Sequence, residues 1–141
     1  VRVLDAKLSA ESRTTLRRSI FDFLPPESVG GSGLPALERA PVLIGYGHDT
    51  HMRYGRSVTT RDRKGGLALR ELRALFEMEK LQVPIQLAPG SLILFKQNKV
   101  LHARGGFRPL FDGADRWMVR LFAAERQWVV PVHPEVPFMG R

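Results

Sequence analysis

The chain is 141 residues long, 43% apolar and 26% charged, with a formal net charge of +8 and no cysteine. That length and composition describe one globular domain with a real core, and they exclude a disulfide scaffold and any thiolate metal site. No apolar run approaches the roughly 20 residues that cross a bilayer, no signal-peptide pattern opens the chain, and the lack of cysteine suits a reducing cytoplasm. The positive charge raises the question of nucleic acid. The arginines, however, are scattered from Arg2 to Arg141, with denser groups only at Arg13, Arg17 and Arg18 and between Arg53 and Lys64. No helix-turn-helix or aromatic RNA-binding signature accompanies them. They read as a solvated surface, and neither nucleic acid nor a membrane is expected as a partner.

The chain opens on Val1 rather than Met, as expected of a sequence that starts partway into a longer protein. Residues Val1 to Leu4 are expected to finish a strand. Ser9 has the chemistry of an N-cap, and Ala10 to about Leu24 reads as a helix with Leu16, Ile20 and Phe23 or Leu24 on its buried side. Pro25-Pro26 ends it. Residues Glu27 to Ala40 read as a loop. Val42 to Gly45 and Met52 to Tyr54 read as short strands joined by a turn around Gly47-His48-Asp49. Thr59 to Gly66 is expected to be a charged, glycine-ended loop, disordered or serving as a lid. Leu67 to about Leu81 carries the strongest helical pattern: Leu69, Leu72, Leu75 and Phe76 form an apolar stripe, with Arg70, Glu71, Arg73, Glu77 and Lys80 mostly outside it. Val83, Ile85 and Leu87 alternate as a strand.

The stretch Pro89 to Phe122 is the most informative. Pro89-Gly90 signals a turn, Ser91 to Phe95 is an apolar run of strand length, Gln97-Asn98 turns the chain, and Val100 to Arg104 returns as a strand carrying His102. After Gly105-Gly106 a third strand follows. Side chains alternate along it, so Trp117, Val119 and Leu121 share a face that must be packed, while Arg116, Met118, Arg120 and Phe122 share another that also looks largely buried. Two guanidiniums roughly 13 Å apart cannot share one carboxylate. Two separate anions are implied, either the protein's own Asp or Glu side chains or the carboxylates of ligands. The end of the chain, with Trp128 to Val130 and Pro131, Pro134 and Pro137, reads as a tail laid over the body with His133 exposed.

The run PGSLILFKQN, then His102-Ala103-Arg104, Phe107-Arg108-Pro109, and Asp112-Gly113-x-Asp115-Arg116-Trp117-x-x-Arg120, resembles the clavaminate synthase-like (taurine dioxygenase-like) branch of the iron(II)/2-oxoglutarate-dependent oxygenases. That branch includes arginine, asparagine and lysine hydroxylases. The likeness is close over about residues 86 to 124 and loose elsewhere. It implies a mainly β fold with flanking helices, a double-stranded β-helix (jelly-roll) that is incomplete here, with residues 1–141 forming a single domain from its C-terminal portion. It implies Fe(II), 2-oxoglutarate and molecular oxygen as reactants with a small-molecule amino acid of arginine, lysine or asparagine type, hydroxylated as 2-oxoglutarate is decarboxylated to succinate. By the same resemblance, His102 is the distal histidine ligand to iron, Arg116 pairs with the far carboxylate of 2-oxoglutarate, and Arg120 holds the carboxylate of the substrate.

The residue types suit that chemistry. Two histidines and a carboxylate on one face of an iron leave positions for a bidentate 2-oxo acid and dioxygen. A guanidinium fixes a carboxylate bidentately, and the protein supplies positioning and exclusion of water. The family takes its first two ligands from His-x-Asp or His-x-Glu. The run His48-Asp49-Thr50-His51 departs from that order and lies too close to His102, so it reads as a turn. Arg53 or Tyr54 facing a substrate is the alternative use of that region. The resemblance therefore implies one of the three iron ligands, His102, in the chain as given. Alternatives from other classes are an iron-free jelly-roll binding module and a basic nucleic-acid-binding domain.

Overall fold

The computed structural model describes residues 1–24, 37–55, 57–103, 105–106, 108–113, 115, 118–119 and 121. The chain divides into two compact units, Val1–His102 and Ala103–Arg141.

The first unit begins with two short helices, α1 (Arg2–Lys7) and α2 (Ala10–Thr15). The strand expected at Val1 to Leu4 is thus helical. Leu4 is half-buried against the core and Leu8, just past the helix, is buried within it. Ser9 caps α2 as expected, its Oγ accepting from the Ser12 amide at 3.2 Å. The helix stops far short of Leu24. The Leu16 carbonyl accepts from the amides of both Val42 and Leu43, at 2.9 Å each, and so is taken up by a remote segment. The chain then continues as strand β1 (Phe21–Phe23), with Phe21 fully buried. Here a period of two prevails over the helical one, because neighbouring strands are present on both sides.

Those neighbours are β2 (Leu37–Ala40) and, further along the chain, Val58–Thr59. They give a three-stranded antiparallel sheet with β1 at its centre. The end of the expected loop 27–40 is therefore a strand. A second sheet pairs β3 (Leu43–Ile44) with β4 (His51–Met52), with Leu43 opposite Met52 and Ile44 opposite His51. This is the expected hairpin, closed by a 3-10 turn over Gly47–Asp49. Val58–Thr59 is β5, and helix α3 (Arg63–Phe76) follows almost directly. The lid expected at Thr59 to Gly66 is instead a strand and the first turn of a helix. Asp62 explains the early start: its Oδ1 accepts from the Gly65 amide at 2.7 Å. Gly65, Ala68, Leu69, Leu72 and Leu75 form the buried face of α3. A 3-10 turn over Glu79–Leu81 occupies the expected end of that helix.

The core joins α3 to Leu8, Leu16, Phe21, Val42, Leu43, Met52 and Val58. Antiparallel sheets with flanking helices are present as expected, but the two sheets do not by themselves make up a jelly-roll. Residues 82–96 enter no β ladder among the described residues, so the strands expected at Val83 to Leu87 and Ser91 to Phe95 are not formed there. Leu92 and Leu94 are about nine-tenths exposed, at 89% and 92%. A strand satisfies its backbone groups and covers its apolar face only when a neighbour is present.

In the second unit, the Asp115 carboxylate accepts from the amides of Leu110 at 2.9 Å and Phe111 at 2.7 Å. This holds Phe111 in a left-handed conformation, φ 57°. Val119 and Leu121, expected to be packed, are exposed, and Met118 is exposed as well. Their alternation marks a two-sided strand, but no described strand pairs with them. Trp117, Phe122 and the Pro-rich tail with His133 lie outside the described residues.

Candidate functional site

His102 is placed by the segment that precedes it. The turn expected at Gln97-Asn98 is present, closed by the Lys99 amide donating to the Lys96 carbonyl at 3.0 Å. The Asn98 carbonyl accepts from the Met52 amide of β4 at 2.9 Å. The Lys99 ammonium donates to the carbonyls of His48 at 2.8 Å and Thr50 at 3.2 Å. Two residues on, Leu101 packs against the core. His102 then faces solvent with its ring 4.9 Å from that of Phe95, inclined at 55°. Among the described residues its ring nitrogens make no hydrogen bond, and in the neutral imidazole one of the two carries the lone pair that a metal would take.

The run His48 to His51 behaves as the turn it was read to be. His48 Nδ1 lies 2.8 Å from an Arg2 guanidinium nitrogen, which can only donate, so Nδ1 accepts. His51 sits in β4 opposite Ile44. Gly45 makes the turn possible: its φ is +73°, and a Cβ there would lie 2.6 Å from the Asp49 carbonyl oxygen. Arg53 and Tyr54 serve the fold. The Arg53 guanidinium lies 5.7 Å from the centre of the Phe23 ring. Tyr54 packs edge-on against Phe76 at 4.9 Å and accepts from Arg73 Nε at 3.2 Å.

Two polar clusters were not legible in the sequence. Arg17 donates to Asp5 Oδ2 at 3.0 Å and to the Gly45 carbonyl at 3.1 Å, with both charged side chains largely buried. Glu71, expected outside the apolar stripe of α3, reaches the start of α2 and accepts from the Ser9 amide and hydroxyl and from the Ser12 hydroxyl. The Ser12 hydrogen bond chiefly holds the Glu71 carboxyl below its usual range, with burial acting the other way and Ser9 adding to the lowering. A cavity of about 260 Å³ lies beside this cluster, between α2 and α3, and does not include His102.

Arg116 and Arg120 lie outside the described residues. Among the described residues, no group of three or more His, Asp or Glu side chains could hold a metal ion. The chemistry of His102 fits one coordination position of an iron. The described residues do not supply the other two. No described helix is long and apolar enough to cross a membrane.

Residues 32–122 match the family model described as taurine catabolism dioxygenase TauD, TfdA family, a span that includes His102, Arg116 and Arg120. The chain belongs to that family. Among curated relatives, it is 37% identical to L-asparagine oxygenase of Streptomyces coelicolor over 103 residues, covering 72% of this chain and 30% of that protein. It is 25% identical to enduracididine beta-hydroxylase of Streptomyces hygroscopicus over 147 aligned positions, covering 84% of this chain and 42% of that protein. The chain thus spans less than half the length of either. Among solved structures, asparagine oxygenase in complex with Fe(II), 2S,3S-3-hydroxyasparagine and succinate matches with a TM-score of 0.47 and 35% identity, over 54% of this chain and 24% of that one.

Proposed function

We propose that this chain is the C-terminal portion of an iron(II)/2-oxoglutarate-dependent oxygenase that hydroxylates an amino acid. The observation that carries the reading is the family match across residues 32–122, together with 37% identity to an L-asparagine oxygenase. The completed fold is then a jelly-roll, with residues 1–141 forming one domain of it, and the absence of cysteine suits a cytoplasmic enzyme. His102 serves as an iron ligand, Arg116 holds the far carboxylate of 2-oxoglutarate, and Arg120 holds the carboxylate of the amino acid. Iron, when bound, supplies the activation of dioxygen that hydroxylation requires. The chain's own contribution is a solvent-facing imidazole and two guanidiniums suited to bidentate carboxylates. Asparagine is the first substrate to try, with arginine and lysine after it.

The test is an anaerobic titration of the protein with iron(II) and 2-oxoglutarate, following the visible charge-transfer band of the chelate. A saturable band that is lost in His102→Ala and shifted to higher 2-oxoglutarate in Arg116→Ala supports the reading. A band unchanged in His102→Ala overturns the ligand assignment. A second reading is an iron-free binding module of the same fold, motivated by the finding that no group of three or more His, Asp or Glu side chains among the described residues could hold a metal ion. It predicts 2-oxoglutarate or amino-acid binding by calorimetry that is indifferent to iron.

A further inference from the structure

We infer that Lys99 is a positioning residue for His102, an inference that rests on the iron-ligand reading above. The ammonium of Lys99 bridges two backbone carbonyls of one turn, those of His48 at 2.8 Å and Thr50 at 3.2 Å. Beside it, the Asn98 carbonyl takes the Met52 amide at 2.9 Å. Thr50 is 1% exposed and Met52 5%, so the far side of this clamp belongs to the core. The near side is a tight turn, three residues from His102, followed by Leu101, which packs against the same core. The imidazole follows two fixed points, Lys99 and Leu101, and rests against the Phe95 ring at 4.9 Å. A surface histidine has many rotamers available. This one starts from a backbone held by a charge-assisted bridge and by a packed neighbour, so less freedom remains to be lost when a ligand engages its ring. The cation also matches the turn, because carbonyls at the end of a helical turn carry partial negative charge.

Lys99→Met keeps the length and apolar stem of the side chain and removes all its donors. Lys99→Arg restores a cation with donors at similar reach. Two readouts separate positioning from mere stability. The first is the imidazole proton resonance of His102, assigned by its loss in His102→Ala, which the Phe95 ring displaces from a free-histidine position. The second is the iron(II) half-saturation in the presence of 2-oxoglutarate. The expected result is a Lys99→Met protein that melts cooperatively, with the His102 resonance moved toward that of free histidine. Its iron half-saturation should be raised roughly tenfold, as for other residues that orient metal-binding histidines. Lys99→Arg should recover both. Should Lys99→Met fail to fold, Lys99→Gln, too short to span both carbonyls, takes its place. An unmoved His102 resonance overturns the inference whatever iron does. A resonance that moves while iron binds Lys99→Met as tightly as the parent also overturns it. If the resonance moves and no form binds iron, it is the ligand reading that fails, leaving the clamp no reaction to serve.

Discussion

The Glu71 carboxylate of α3 accepts the Ser9 backbone amide at 2.6 Å, so one helix caps the start of another across 62 positions of sequence. Ser9 also donates its hydroxyl to the same carboxylate at 2.8 Å, and Ser12 adds a third hydrogen bond. Because these bonds favour the ionised form, the folded-state carboxyl ionises below its unfolded value. The stabilisation is therefore fully present above the ordinary glutamate range and is lost as pH falls through the lowered folded value. Glu71→Gln should cost no more than about 1 kcal/mol at neutral pH, because solvent screens much of this accessible carboxylate, and should remove part of the acid sensitivity below the ordinary glutamate range. Urea melts of both proteins across that range provide the check. Parallel pH dependences would show that Glu71 contributes nothing by its charge.

Gly45 and Gly66 should respond oppositely to alanine. At Gly45 a Cβ meets backbone at 2.6 Å and φ is +73°, so relief requires the whole turn to move. Gly45→Ala should destabilise by about 2 kcal/mol or more. Gly66 lies within α3 with nothing inside 4 Å of a new Cβ. Gly66→Ala should stabilise by about 0.5–1 kcal/mol through helix propensity. Thermal denaturation of the two variants measures both signs.

The Asp5–Arg17 pair, 3.0 Å apart with side chains 13% and 11% exposed, contrasts with the Glu11–Lys64 pair at the same distance, 70% and 58% exposed. Arg17→Met leaves the buried Asp5 with Arg13, 4.0 Å away, as its remaining cationic partner, and should cost about 2 kcal/mol with little dependence on salt. Lys64→Ala should change stability by less than about 0.5 kcal/mol. Denaturant titrations at low and high ionic strength compare them directly, and equal effects would mean that burial does not govern the pair.

Arg116 and Arg120 should fail differently when truncated. On the proposed assignment, Arg116→Ala raises the 2-oxoglutarate requirement by roughly a hundredfold, about 3 kcal/mol for a lost charged hydrogen-bond pair, and changes amino-acid dependence little. Arg120→Ala does the reverse. Steady-state titration of each reactant with the full-length enzyme checks the split. The same reactant dependence in both variants would remove the assignment.

Some of this protein was determined by its sequence alone. The Ser9 cap, the hairpin of Leu43 with Met52, the buried stripe of Leu69, Leu72 and Leu75, and the turn before His102 each rest on neighbours a few positions apart, where periodicity and turn chemistry operate. His102, Arg116 and Arg120 stand in the sequence as a spaced motif whose roles remain proposals, and the arginines lie outside the described residues. What only the tertiary structure decided involves distant partners. Phe21 to Phe23 becomes a strand because β2 and β5 flank it. Thr59 to Arg63 is a strand edge and a helix start rather than a lid, because β1 pairs with the one and Asp62 caps the other. Glu71 reads only as a residue outside the apolar stripe until the fold brings Ser9 to it, and nothing local marks Lys99 as the partner of the His48 and Thr50 carbonyls. Periodicity records which face of an element is apolar. It cannot record which polar atoms a fold brings within 3 Å, because those distances exist only once the backbone has closed.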